Sequence, residues 1–295
     1  MRLAGFAALA FMIGVSARLP AQAQPQANGP LTIVAAENFY GDVAQQLAGP
    51  HANVTSILSN PDEDPHLFEA SPSVARALAA ARIAVYNGVD YDPWMAKLLS
   101  ASAVANRQVI VVADLLHRTT GSNPHLWYDP ATMPAYAQAL SAGLAAADPA
   151  HKAEYDQRLQ QFLGTLTPIQ TRIAQLHSKY AGFPVTATEP VFGYMAAALG
   201  LEMRNERFQL AVMNNTEPSA SDVAAMETDL KQHRVKLFIY NSQATDTAAQ
   251  RLLRIARSAN VPYIGVTETE PKGRDYQQWM LSQLDALDRA MSSRS

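Results

Sequence analysis

From residue 31 onward the chain alternates short apolar, β-branched runs with stretches whose apolar positions recur every three or four residues. The runs at 31–36 (LTIVAA), 54–58 (VTSIL), 83–86 (IAVY) and 109–113 (VIVVA) are apolar on both faces and bounded by turn formers, which predicts buried parallel strands. Between them, 41–48, 73–81 and 93–103 carry Ala and Leu at helical spacing. Repeated β-α units of this kind predict a parallel sheet covered on both faces, forming an N-terminal lobe over 31–146. The same logic returns at 184–188 (PVTAT), 236–240 (KLFIY) and 263–267 (YIGVT), with helices expected at 192–199, 220–233 and 247–259. These make a C-terminal lobe over 182–295, and Ser219 or Ser221 is expected to cap its second helix. The intervening segment, 147–181, has few loop formers and spaced apolar residues over 149–180, so a linker helix is expected, with Gly164 and Pro168 leaving two shorter helices open. The predicted fold class is α/β: two parallel-sheet lobes joined by a long rigid helix that limits how far they swing.

The N-terminus changes the picture of where this fold works. Met1 and Arg2 precede an apolar run, Leu3 to Ala17, closed by Arg18 and Pro20, and Ala21-Gln22-Ala23 has the small-x-small form of a cleavage site. The expectation is a removable signal peptide over 1–23, a disordered lead-in over 24–30, and a periplasmic protein. With no cysteine in the sequence, no lipid anchor on an N-terminal cysteine, no disulfide and no thiolate metal site is expected. The net charge of −3 is interspersed and no basic block occurs, so nucleic acid is not an expected partner.

Candidate chemistry lies at the strand exits. In open parallel sheets ligands bind beyond the carboxyl ends of the strands. His66 follows the second run and His125 the fourth, each in a Pro-His-Leu-aromatic context where the preceding proline stiffens the loop. Glu189 follows PVTAT, and Glu270 lies beyond YIGVT, with Glu268 competing for that place. Two residues come from each lobe, so His66, His125, Glu189 and Glu270 predict a metal site in the cleft between lobes. Two imidazoles with two carboxylates suit Mn2+ or Zn2+, with Fe2+ chemically possible. The other histidines, His51, His151, His177 and His233, have no repeated frame and are expected to face solvent; His117 lies nearer the candidate site. Asp62, Glu63 and Asp64 form a charged loop able to attract cations.

These residues also carry a family resemblance. DPHLFEASPS (64–73), NPHLWYDP (123–130), TEPVFGYMAAALGL (188–201) and NVPYIGVTETEPKG (260–273) resemble the four ligand segments of the zinc and manganese solute-binding proteins of ABC importers, over essentially the whole mature chain. In that family the third ligand is His or Glu and the fourth is usually Asp, about nine residues after the Val of Val-Pro; here that count reaches Glu270. No His-rich loop lies between His66 and His125. The resemblance implies two lobes joined by a rigid helix, a divalent metal as transported ligand with no organic cofactor, a permease in the inner membrane as partner, a monomer, and no enzymatic activity. The alternative class is an exported zinc-dependent hydrolase, for which neither an H-E-x-x-H nor a G-x-S-x-G motif is present.

Overall fold

The computed structural model describes residues 29–60, 68–214, 216–244 and 247–292. The expected signal peptide, most of the lead-in, Asp62, Glu63, Asp64 and His66 lie outside the described residues.

The first lobe is built on β1 (Leu31–Glu37), β2 (Ala52–Leu58), β3 (Ile83–Tyr86) and β4 (Gln108–Val111), all parallel, in the order β2-β1-β3-β4. Central β1 is buried from Ile33 to Glu37, as expected for a strand covered on both faces. Its helices are α1 (Asn38–Ala48), α2 (Pro72–Ala80), α3 (Pro93–Ala101), the single turn α4 (Val112–Leu115) and α5 (Thr132–Ala147). Phe39, Tyr40, Val43, Ala44 and Leu47 make the buried stripe of α1, the spacing that sets one helical face against the sheet.

The connector is two helices, α6 (Lys152–Thr165) and α7 (Thr167–Tyr180), meeting at Leu166. Pro168 explains the break: it has no N–H to donate, so it is accommodated in the first turn of a new helix. Leu166 keeps helical dihedrals (φ −81°, ψ −16°), so the chain stays wound through the junction. α6 packs against α5 and α1.

The second lobe repeats the topology. Strands β5 (Pro184–Ala187), β6 (Glu202–Arg204), β7 (Leu237–Asn241) and β8 (Tyr263–Val266) are parallel in the order β6-β5-β7-β8. Its helices are α8 (Gly193–Ala198), α9 (Glu206–Met213), α10 (Ala220–Lys231), α11 (Thr247–Ser258) and α12 (Tyr276–Ser292). Ser219 caps α10 as expected, its Oγ accepting from Asp222 N at 3.2 Å. α7 packs against α12, where Arg172 pairs with Asp285 and Asp288 and Lys179 pairs with Asp288. Among the described residues no helix is long and apolar enough to cross a membrane.

The lobes share one hydrophobic core. It runs from Ile33, Val85 and Leu140 through Trp127 and Tyr128 to Phe192, Ile239 and Trp279. The rings meet directly: Phe39 to Trp127 at 4.7 Å, Phe39 to Trp279 at 5.9 Å, Tyr128 to Trp279 at 5.6 Å and Tyr128 to Phe192 at 5.1 Å between centroids. Each such pair adds about 0.5–1.5 kcal/mol beyond area burial, so this seam is stiff.

Candidate metal centre

Both sheets present the carboxyl ends of their strands to the cleft, which determines what gathers there. His125 begins the turn Leu126–Tyr128 and is fully buried. Its loop is fixed from both sides. Pro124 O accepts from Asn87 Nδ2 at 2.8 Å, and Asn123 donates from Nδ2 to Pro190 O across the cleft at 2.7 Å. Asn123 Oδ1 accepts from His125 N at 3.1 Å and lies 2.7 Å from His125 Nδ1. That contact sets Nδ1 as the protonated nitrogen and leaves the Nε2 lone pair facing the cleft.

Nε2 has no hydrogen-bond partner among the described residues, and Glu268 Oε2 stands 3.5 Å away. Both side chains are fully buried. A divalent cation between them would satisfy both the imidazole lone pair and the carboxylate oxygen, and tetrahedral ligands at bonds of about 2.0–2.1 Å stand roughly 3.3 Å apart. Glu268 is oriented by Asn241 Nδ2, which donates to its Oε1 at 2.6 Å, and by Tyr91 OH, which donates to its Oε2 at 3.1 Å. The same Asn241 amide reaches Glu189 Oε1 at 3.4 Å, so one side chain ties the two carboxylates together.

Glu270 is placed differently. Asn38 grips its backbone in both directions, Nδ2 to Glu270 O at 2.7 Å and Glu270 N to Asn38 Oδ1 at 3.0 Å. Burial, aided by the like charges of Asp42 and Asp275, pushes its carboxyl up to about 9. The structure thus brings His125, Glu268 and Glu189 together through direct approach and Asn241, and turns Glu270 toward α1.

The elevated Glu270 value has a measurable consequence. Between the unfolded value near 4.3 and about 9, the native state holds a proton that the unfolded state has released, so stability falls as pH rises, by at most about 1.4 kcal/mol per unit. In metal-free protein the thermal midpoint is therefore expected to decline from pH 5 to pH 8. Glu270→Gln should decline less steeply; identical slopes would show that Glu270 is ionised in the fold.

Beneath His125 lies a second carboxyl pair that sequence reasoning passed over. Glu37, the last residue of β1, is buried against Asp92 and has no other hydrogen-bond partner among the described residues. Burial first, then the charge of Asp92, raises Glu37 well above the usual carboxyl range. Burial pushes Asp92 up to about 6 against the N–H groups of Gly88 and Asn87, which donate to it at 2.9 and 2.6 Å. Those bonds hold a turn in which Gly88, Val89 and Asp90 all have positive φ, a strained conformation for β-branched Val89. Asn87, positioned in turn by Tyr40 OH at 2.7 Å, is the residue that holds Pro124. The available signal was the strand-exit rule itself: Glu37 and Asn241 end β1 and β7.

A cavity of about 480 Å3 opens beside this turn, lined by Tyr91, Trp94 and Pro124 on one side and Met213 and Asn214 on the other. Further bonds close the cleft floor: Tyr128 OH to Thr267 O at 2.9 Å and Tyr276 OH to Trp127 O at 2.8 Å.

Two parallel α/β lobes, fused through their cores and turning an imidazole from one toward a carboxylate from the other, define a two-lobed binding protein with a cation-adapted cleft. The chain belongs to the family described as zinc-uptake complex component A, periplasmic, which matches it over residues 33–290. Its fold is similar to that of the periplasmic zinc-binding protein TroA from Treponema pallidum, with a TM-score of 0.76 at 18% identity, covering 89% of this chain and 99% of that one. It is similar too to a manganese-bound periplasmic metal-binding protein from Candidatus Liberibacter asiaticus, with a TM-score of 0.69 at 18% identity over 88% of this chain and 99% of that one. In sequence it is 21% identical to the metal ABC transporter substrate-binding lipoprotein ScbA of Streptococcus cristatus, over 89% of each. These likenesses lend no support to the zinc-dependent hydrolase.

Proposed function

We propose that this chain is the extracytoplasmic solute-binding component of an ABC importer that captures a divalent transition metal and hands it to a permease in the inner membrane. The observation that carries the reading is the buried Nε2 of His125 facing Glu268 Oε2 at 3.5 Å. Family membership and the likeness to ScbA support the transport role. The ligands proposed are His66, His125 and Glu189, with Glu268, whose Oε2 stands 3.5 Å from His125 Nε2, as the fourth in place of Glu270, whose backbone is held by Asn38. The protein's task is capture and release without chemical change of the cargo, and we read it as a monomer without catalytic activity. ScbA is named a lipoprotein, which runs against the unanchored form expected from the sequence, while the family description places its members in the periplasm.

Either Mn2+ or Zn2+ fits a mixed imidazole and carboxylate shell. Carboxylates suit manganese, while the Irving–Williams order gives zinc the tighter binding to nearly any such set. Elemental analysis of protein purified without added metal or chelator, followed by competition of Mn2+ against Zn2+, tests the reading. A first-row divalent ion should co-purify and be retained against a large excess of Mg2+. Affinity should also fall between pH 7.5 and pH 5, because ordinary imidazoles take up protons near about 6.5 and must be neutral to bind. An affinity unchanged over that range would rule out histidine ligation.

A further inference from the structure

Far from the cleft, two of the histidines expected to face solvent are instead stacked on each other. His51 ends the turn Gly49–His51 that follows α1, and His151 ends the turn Pro149–His151 that leads into α6. Their rings lie 3.8 Å apart between centroids, 21° from parallel. Glu154, on the first turn of α6, brings Oε2 within 2.8 Å of His51 Nε2. One ligand atom from each of His51, His151 and Glu154 lies within 4.8 Å of the others.

We propose that His51, His151 and Glu154 form a second divalent-metal site, selective for Zn2+, that clamps the α1–β2 turn to the first connector helix. Two imidazoles and one carboxylate with an open position are an established donor set for zinc. The imidazole-rich composition favours Zn2+ over Mn2+. The supporting groups are already in place. Asp148 Oδ2 lies 2.6 Å from His151 Nδ1 and accepts from Tyr155 OH at 2.8 Å. A carboxylate holding Nδ1–H leaves Nε2 as the lone-pair nitrogen, the outer arrangement that metal-binding histidines use. Imidazole lone pairs lie in the ring planes, so to share one dication the two rings must turn out of their stack, and the His51 proton now directed at Glu154 must move to Nδ1 to free Nε2. Closing from 4.8 Å to a tetrahedral edge of roughly 3.3 Å needs only side-chain rotation, which the half-exposed His151 and Glu154 can make. The site is separate from the cleft. It stands at the amino end of β2, and the strand's seven residues at about 3.3 Å each put roughly 20 Å between that end and the carboxyl end that faces the cleft.

The test is Zn2+ stoichiometry by equilibrium dialysis at neutral pH on the full chain. His151→Ala and Glu154→Gln are each made in the parent and in a His125→Ala background. The parent should bind one equivalent more than His151→Ala, and the same single equivalent should disappear when His151→Ala is added to His125→Ala. Glu154→Gln, a half-exposed change that leaves both rings in place, should weaken that equivalent at least about tenfold without removing the cleft equivalent. Unchanged counts on adding His151→Ala and unchanged affinity in Glu154→Gln would overturn the proposal. Failure of the cleft reading would instead show as a His125→Ala count equal to the parent's.

Discussion

Glu268→Gln is expected to weaken Mn2+ and Zn2+ binding in the cleft by more than about a hundredfold, whereas Glu270→Gln should change it by less than about tenfold. The amide keeps the volume and one oxygen of Glu268, so packing against Tyr91 and Asn241 survives. It removes the charge and places a donor opposite the His125 lone pair, 3.5 Å away. Glu270→Gln changes a carboxyl whose backbone is tied to Asn38 and whose neutral form burial favours. Asn241→Ala should fall between, about ten- to a hundredfold, because Asn241 orients Glu189 and Glu268 from outside the metal shell. A competition titration with a metal chelator reads all three variants. A larger loss in Glu270→Gln than in Glu268→Gln would return the fourth place to Glu270.

His125→Ala should abolish the stabilisation that cleft metal gives the fold. Free metal at one hundred times the dissociation constant raises stability by about 2.7 kcal/mol through mass action. Thermal unfolding with Mn2+ is the suitable measurement, since the proposed second site prefers zinc. The parent midpoint should rise with Mn2+ and fall with chelator, His125→Ala should not respond, and His233→Ala, at an exposed turn, should respond as the parent does. A His125→Ala midpoint that tracks Mn2+ like the parent's would place the ion elsewhere.

The parallel strands were legible because burial on both faces leaves an unbroken apolar run, and β1 shows it from Ile33 onward. β6 was not legible: its three residues are mostly exposed and form a strand only because β5 offers an edge to pair with. Pro-His-Leu-aromatic marked His125 because the motif is local, and the turn it predicts is local too. The choice between Glu268 and Glu270 is not local. Past Val266 the alternation of a strand ends, and it is Asn38, on another lobe, that takes hold of the Glu270 backbone. His51 and His151 escaped for the same reason, since only the packing of α1 against α6 brings them together.

The aromatic seam from Phe39 to Trp279 has a consequence for how a permease would tell a loaded protein from an empty one. Lobes that share a core cannot advertise cargo by a wide change of outline. On the proposed role, what arrival of a dication changes is charge: two positive units are added beside the buried carboxylates Glu189 and Glu268. Such a change is felt only over about a Debye length, roughly 8 Å at physiological ionic strength. A permease that reads it must therefore touch the rim of the cleft itself, near Trp94 and Asn214, and the cargo's electric field becomes the message that delivery is due.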